Sequence, residues 1–83
     1  MHGDFMKMEL ENLDLEYDFL CDFIKLRNEL GLTQKQMADK SGVVREMISV
    51  IESGKKHPQL NTLIKILKPF GYTVKIEKIK WIY

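Results

Sequence analysis

The chain has 83 residues and a formal net charge of +1 at pH 7, room for one small core and no second domain. No apolar run approaches the roughly 18 residues of a membrane helix, and no signal-peptide pattern opens the chain. The one cysteine, Cys21, has no internal disulfide partner, so the sequence predicts a cytoplasmic protein without a membrane partner.

The near-zero net charge conceals an asymmetry. Residues 1–30 carry eight acidic and three basic side chains, whereas residues 31–83 carry ten basic and four acidic ones. Simple solvation is one account of such a split. A phosphate backbone lying against the basic part is the other.

Residues 1–13 are acidic and free of turn chemistry, and they are expected to form an N-terminal arm or a loosely anchored first turn. A helix is predicted over 14–30, with Gly31 as its stop. At 100° steps, Phe19, Phe23, Leu26 and Leu30 form one apolar stripe. Tyr17, Cys21 and Ile24 form a second, with Leu20 between them. Asp18, Asp22, Lys25 and Glu29 make the polar wedge. This apolar arc is wider than one core face requires. Either another element of the chain covers the second stripe, or it is a partner surface.

Thr33 is a good N-cap for a second helix ending near Ser41, and Gln36 three residues on completes a capping-box pattern. A third helix runs over about 44–53 and stops at Gly54. Ala38, where two helices would cross, is followed four residues later by Gly42, where the chain must turn. Met37, Val43, Ile48 and Ile51 supply the apolar contacts between them. In register within one window, these residues have helix-turn-helix spacing.

Lys55-Lys56-His57-Pro58 forms a basic loop. A fourth helix is expected over about 60–70, with Leu60, Leu63, Ile64, Leu67 and Phe70 at core spacing and Lys65 and Lys68 facing water. Pro69 should distort its last turn before Gly71 closes it. From Tyr72 to Glu77 the period changes to strict alternation, which reads as a strand. After Lys78 the apolar parity slips to Ile79, Trp81 and Tyr83. A lone strand leaves its backbone groups unpaired. The simplest partner is the same strand of a second copy, paired antiparallel about a twofold axis through Tyr72, Val74 and Ile76. The expected fold is therefore mainly α. It comprises an acidic arm (1–13), a four-helix DNA-binding domain (14–71) and a C-terminal β-strand and tail (72–83) that pair across a homodimer.

In a helix-turn-helix, the N-terminal residues of the second helix of the motif read base edges in the major groove. Here those are Val44, Arg45, Glu46, Ser49 and Val50. The planar fork of Arg45 suits guanine O6 and N7; a phosphate contact or plain solvation are its alternatives. Glu46 accepts from cytosine N4 or orients Arg45, and Val44 suits a thymine methyl. Gln34, at the start of the second helix, can donate from side chain and backbone to a phosphate. Lys35, Lys55, Lys56 and His57 are further phosphate candidates, with solvation as the alternative for the loop lysines. Arg27 and Glu52 fit a structural salt bridge between the first and third helices.

Catalysis finds no support in the sequence. Two histidines and one cysteine lie far apart, with no nucleophile–base spacing, no metal-ligand cluster and no phosphate-cradling glycine loop. The chain is expected to be no enzyme and to carry no cofactor or metal.

Leu26-Arg27, Gly31-Leu32-Thr33-Gln34, Met37-Ala38, Ser41-Gly42-Val43, Ile48-Ser49, Ile51-Glu52-Ser53-Gly54-Lys55 and Pro58-Gln59-Leu60 with Thr62-Leu63 together resemble the Xre/Cro-C1-type helix-turn-helix family. The resemblance covers about residues 23–70. It implies binding to double-stranded DNA at a palindromic operator, with Gln34 on phosphate and Arg45, Glu46 and Ser49 facing bases, and it supports the Arg27–Glu52 bridge. Val44 stands where Ser or Thr is common, and Glu46 where a neutral residue is frequent. The strand after the fourth helix, the short length and the Tyr17-led first helix are similar to the HigA- and HipB-like antitoxins of type II toxin–antitoxin systems. That likeness implies a repressor of its own operon that also neutralises a cognate toxin. A basic, RNA-cleaving toxin would meet the acidic arm and the spare surface of Tyr17, Cys21, Ile24 and Trp81. The alternative is a stand-alone Xre-type transcription regulator whose spare surface serves dimerisation. A third reading is an accessory protein that uses the fold without reading DNA.

Overall fold

The computed structural model describes the backbone of residues 2–79 and the side chains of residues 15–79. Four helices follow one another: α1 (His2–Glu29), α2 (Gln34–Ser41), α3 (Arg45–Ser53) and α4 (Leu60–Leu67), the last continued by a 3-10 turn over Lys68–Phe70.

The helix expected from residue 14 begins at His2 instead, so residues 2–13 are backbone-helical and not a loose arm. Residues 1–13 contain no proline and one glycine, and Met, Lys, Glu and Leu dominate them. Nothing in that stretch stops a helix that the following residues nucleate. At about 1.5 Å per residue, α1 accounts for the long axis of a molecule measuring 47 × 24 × 21 Å.

Helix α2 starts on a complete capping box. The Gln36 backbone N–H donates to Thr33 Oγ1 at 3.0 Å, and the Thr33 backbone N–H donates to Gln36 Oε1 at 2.9 Å. Such a cap contributes about 1 kcal/mol. Helix α2 ends at Gly42, whose φ of 74° is left-handed and whose N–H donates to the Ala38 carbonyl at 2.9 Å. A Cβ is strained in that conformation, so glycine is what lets the chain leave α2 and enter α3 within three residues.

Phe23 of α1, Met37 and Ala38 of α2, Ile48 and Ile51 of α3, and Ile66 and Leu67 of α4 form the buried core. Ala38 is 1% exposed where α2 meets its neighbours, which is the close approach its small side chain permits. The buried Ser41 hydroxyl lies 2.6 Å from the Met37 carbonyl and 3.1 Å from that of Ile66, so one donor ties α2 to α4.

Helix α4 packs through Leu63, Leu67 and Phe70 as expected, but its inner face is rotated from the rest of the expected set. Leu60 and Ile64 are exposed, whereas Ile66 is fully buried. The helix has only two turns and packs through Leu63, Ile66, Leu67 and then Phe70. That is also an i, i+3, i+4, i+7 series, and an isoleucine-rich helix offers both registers. Pro69 lies inside the 3-10 turn, and Gly71 closes it at φ 84°.

No strand forms among the described residues. Residues 72–79 have no regular structure. The Tyr72 N–H donates to the Leu67 carbonyl at 3.2 Å and Val74 packs on the core, after which Ile76 stands 97% exposed. A single copy offers this alternating segment no ladder to join.

Candidate nucleic-acid interface

Helix α3 divides sharply between its two faces. Ile48 and Ile51 are buried against α1 and α2, while Arg45 and Glu46 at its start are exposed and Ser49 and Val50 are half-buried. Val44 is the N-cap, 64% exposed, and it makes no side-chain cap bond. An apolar, β-branched N-cap forgoes the stabilisation that Ser or Thr gives at this position. The helix is therefore presented tip-first, with Val44, Arg45 and Glu46 forming its leading edge.

The other candidate residues lie in two further segments. Gln34 and Lys35 open α2, and Lys55, Lys56 and His57 follow α3. Arg45, Lys55 and Lys56 take part in no ion pair among the described residues. Lys35 is held by Asp39 one turn on, at 3.1 Å, in an exposed pair that contributes little to stability. His57 Nδ1 lies 3.6 Å from Glu16 Oε2. It thus leans toward α1, beside an apolar groove of about 650 Å³ between α1 and the α3–α4 loop, rather than toward the tip of α3.

Behind the interface sits the Arg27–Glu52 pair. Arg27 Nε donates to Glu52 Oε2 at 2.6 Å, Arg27 Nη2 donates to Glu52 Oε1 at 2.9 Å, and Arg27 Nη1 donates to the Leu32 carbonyl at 2.9 Å. The side chains are 14% and 8% exposed. This two-pronged geometry suits a guanidinium and a carboxylate. The hydrogen bonds from Arg27 to Glu52 hold the guanidinium above its ordinary range, against the opposing effect of burial. The pair joins α1, the α1–α2 loop and α3. The same carboxylate also accepts from Gln34 Nε2 at 3.1 Å. Eighteen residues separate Gln34 from Glu52, and no local pattern in the sequence links them.

Along α1 itself, Tyr17 and Cys21 are exposed and Ile24 is half-buried. No other described element covers this stripe of α1. The neighbouring Cys21 thiol, one turn on, raises the Tyr17 phenol above its ordinary value. Trp81 lies outside the described residues. Neither a metal-ligating cluster nor a helix long and apolar enough to cross a membrane occurs among the described residues.

Comparison with known proteins agrees with this geometry. The family model HTH_3, described as helix-turn-helix, matches residues 23–76. An uncharacterized HTH-type transcriptional regulator of Haemophilus influenzae is 38% identical over 76 residues, covering 92% of this chain and 78% of that protein. The HTH-type transcriptional regulator PuuR of Escherichia coli is 38% identical over 50 residues, 60% of this chain, and the chain spans only 27% of PuuR. Among solved structures, a chain of a toxin–antitoxin module from Streptococcus pneumoniae superposes with a TM-score of 0.69 and 34% identity. The match covers 89% of this chain and 81% of that one.

Proposed function

This chain belongs to the helix-turn-helix family, and from that premise we propose that it is a sequence-specific DNA-binding repressor, a homodimer on a palindromic operator, and the antitoxin of a toxin–antitoxin pair. The observation that carries the DNA-binding reading is the division of α3. Its inner face is locked into the core by Ile48 and Ile51, and its tip leaves Val44, Arg45 and Glu46 exposed. A rigid helix with free polar groups at its N-terminal end fits a major groove. Arg45 reads a guanine, Glu46 a cytosine or the Arg45 fork, and Val44 a thymine methyl. Ser49 and Val50 flank them. Gln34, Lys35, Lys55 and Lys56 contact phosphates, which fixes register without carrying sequence information.

Two copies join through Tyr72, Val74 and Ile76. The alternating, largely exposed segment beyond the core supports this reading, because an unpaired strand edge seeks another. The likeness to a chain of a toxin–antitoxin module supports the partner, and the uncovered Tyr17–Cys21–Ile24 stripe beside Asp18 and Asp22 supports a basic one. Protein and partner act in the cytoplasm. Relatives named only as transcriptional regulators favour the second reading, a stand-alone regulator without a toxin. Mass spectrometry of the proteins that co-purify with the chain from its native host separates the two. A stable complex supports the antitoxin, and free protein alone leaves the regulator.

Arg45→Ala is expected to cost about 1–3 kcal/mol of operator affinity and to relax preference at one base of each half-site. Fluorescence anisotropy against the operator and single-base variants measures both. Unchanged affinity and unchanged preference would remove Arg45 as a reader.

A further inference from the structure

We infer that Glu52, backed by Arg27, is a positioning residue that presets the phosphate contact made by Gln34. The inference rests on the DNA-binding reading above and deepens it. Three donors converge on the Glu52 carboxylate: Arg27 Nε at 2.6 Å, Arg27 Nη2 at 2.9 Å and Gln34 Nε2 at 3.1 Å. They come from α1 and α2, and the carboxylate from α3.

A carboxylate behind a phosphate contact is at first sight misplaced, since like charges repel. Arg27 removes the difficulty. Its two-pronged contact cancels the charge, so Glu52 offers Gln34 an acceptor without offering DNA a net negative group. Only the nitrogen of the Gln34 amide can donate, so the contact dictates which way the amide faces. One side-chain N–H is then left over.

The backbone completes the set. The Gln36 N–H is taken by Thr33 Oγ1 and the Met37 N–H by the Thr33 carbonyl at 3.0 Å. The N–H groups of Gln34 and Lys35 remain without an acceptor among the described residues. A free glutamine would lose rotamer freedom on gripping a phosphate; here Glu52 has already restricted it. Glu52 also stands near the far end of the helix whose tip carries Arg45. One carboxylate therefore sets the spacing between phosphate anchor and base reader.

The test is a methylphosphonate scan. Operator duplexes selected by the wild-type chain each receive one neutral methylphosphonate in place of a phosphate. One position per half-site should weaken wild-type binding about tenfold, as expected for a charge-assisted hydrogen bond. That penalty should shrink in Gln34→Ala to what the backbone N–H groups of Gln34 and Lys35 retain. It should shrink clearly in the Arg27→Met, Glu52→Met double variant as well, while the penalties at lysine-contacted phosphates persist. A merely structural pair would leave it in place, so a folded double variant that keeps the full penalty overturns the inference. NMR of the free wild-type chain gives an answer that does not depend on how the variant folds. The Gln34 side-chain amide should be as rigid as the backbone, and a freely rotating amide overturns the inference. A wild-type chain that selects no DNA from any pool overturns the DNA-binding reading as well, whereas DNA binding with a mobile amide overturns the positioning alone.

Discussion

Truncation after Val74 is expected to give a folded monomer whose operator affinity falls by about a hundredfold or more. The cut is placed by the structure. Val74 packs on the core and the Tyr72 N–H caps the Leu67 carbonyl, so both must stay. Ile76 is 97% exposed, and removing it costs the single chain no burial. What the cut removes is the exposed part of the proposed pairing segment, Ile76 and the residues after it, which leaves too short a stretch to pair. Two joined half-site readers bind the second half-site at an effective concentration in the millimolar range, and that linkage gains about 10²–10⁴ in avidity. Sedimentation should show a monomer, circular dichroism should show the helices retained, and titration should show the loss. A dimer that survives the truncation would exclude pairing through Ile76 and the residues after it as the source of dimerisation.

Arg27→Ala should destabilise the fold by about 3–5 kcal/mol. Glu52 is 8% exposed in its side chain, and without Arg27 its charge would stay buried with only the Gln34 amide as a side-chain partner. A domain of this size has about 5–15 kcal/mol in total, so the variant would lose a large share of its stability. Replacing both residues with methionine should recover most of the loss, because an apolar pair of similar volume does not bear the desolvation of two ions. Urea unfolding followed by circular dichroism measures both variants. An Arg27→Ala protein as stable as the wild type would mean that the pair is not the brace between α1 and α3. The raised Arg27 value means that its contribution is fully present below the unfolded value of an arginine and is lost only above it. Arg27 itself therefore introduces no pH dependence in the neutral range.

These two expectations draw on different layers of the sequence. The capping box at Thr33, the turn at Gly42 and the buried set Met37, Ala38, Ile48 and Ile51 are all local or near-local patterns, and they were legible from spacing alone. The register of α4 was not. Leu60 and Ile64 have the same periodicity as Leu63, Ile66 and Leu67, and only packing against α2 decides which set goes inside. The length of α1 is not legible either, because acidic residues without turn chemistry suit a solvated helix as well as a loose arm. The second stripe of α1 left two readings open, and the structure leaves Tyr17 and Cys21 uncovered. At the interface, the exposed tip of α3 follows from the motif. The link from Glu52 to Gln34 does not, because residues eighteen apart meet only through the crossing of α2 and α3.

Whether the tip of α3 reads DNA is decided by selection from a pool of randomised duplexes. The expected result is a palindrome whose half-sites are centred about 34 Å apart, one helical turn, and a matched selection with Arg45→Ala that loses preference at one symmetric pair of positions. A pool that shows no enrichment, or a palindrome that the Arg45→Ala chain selects unchanged, would contradict base reading by α3.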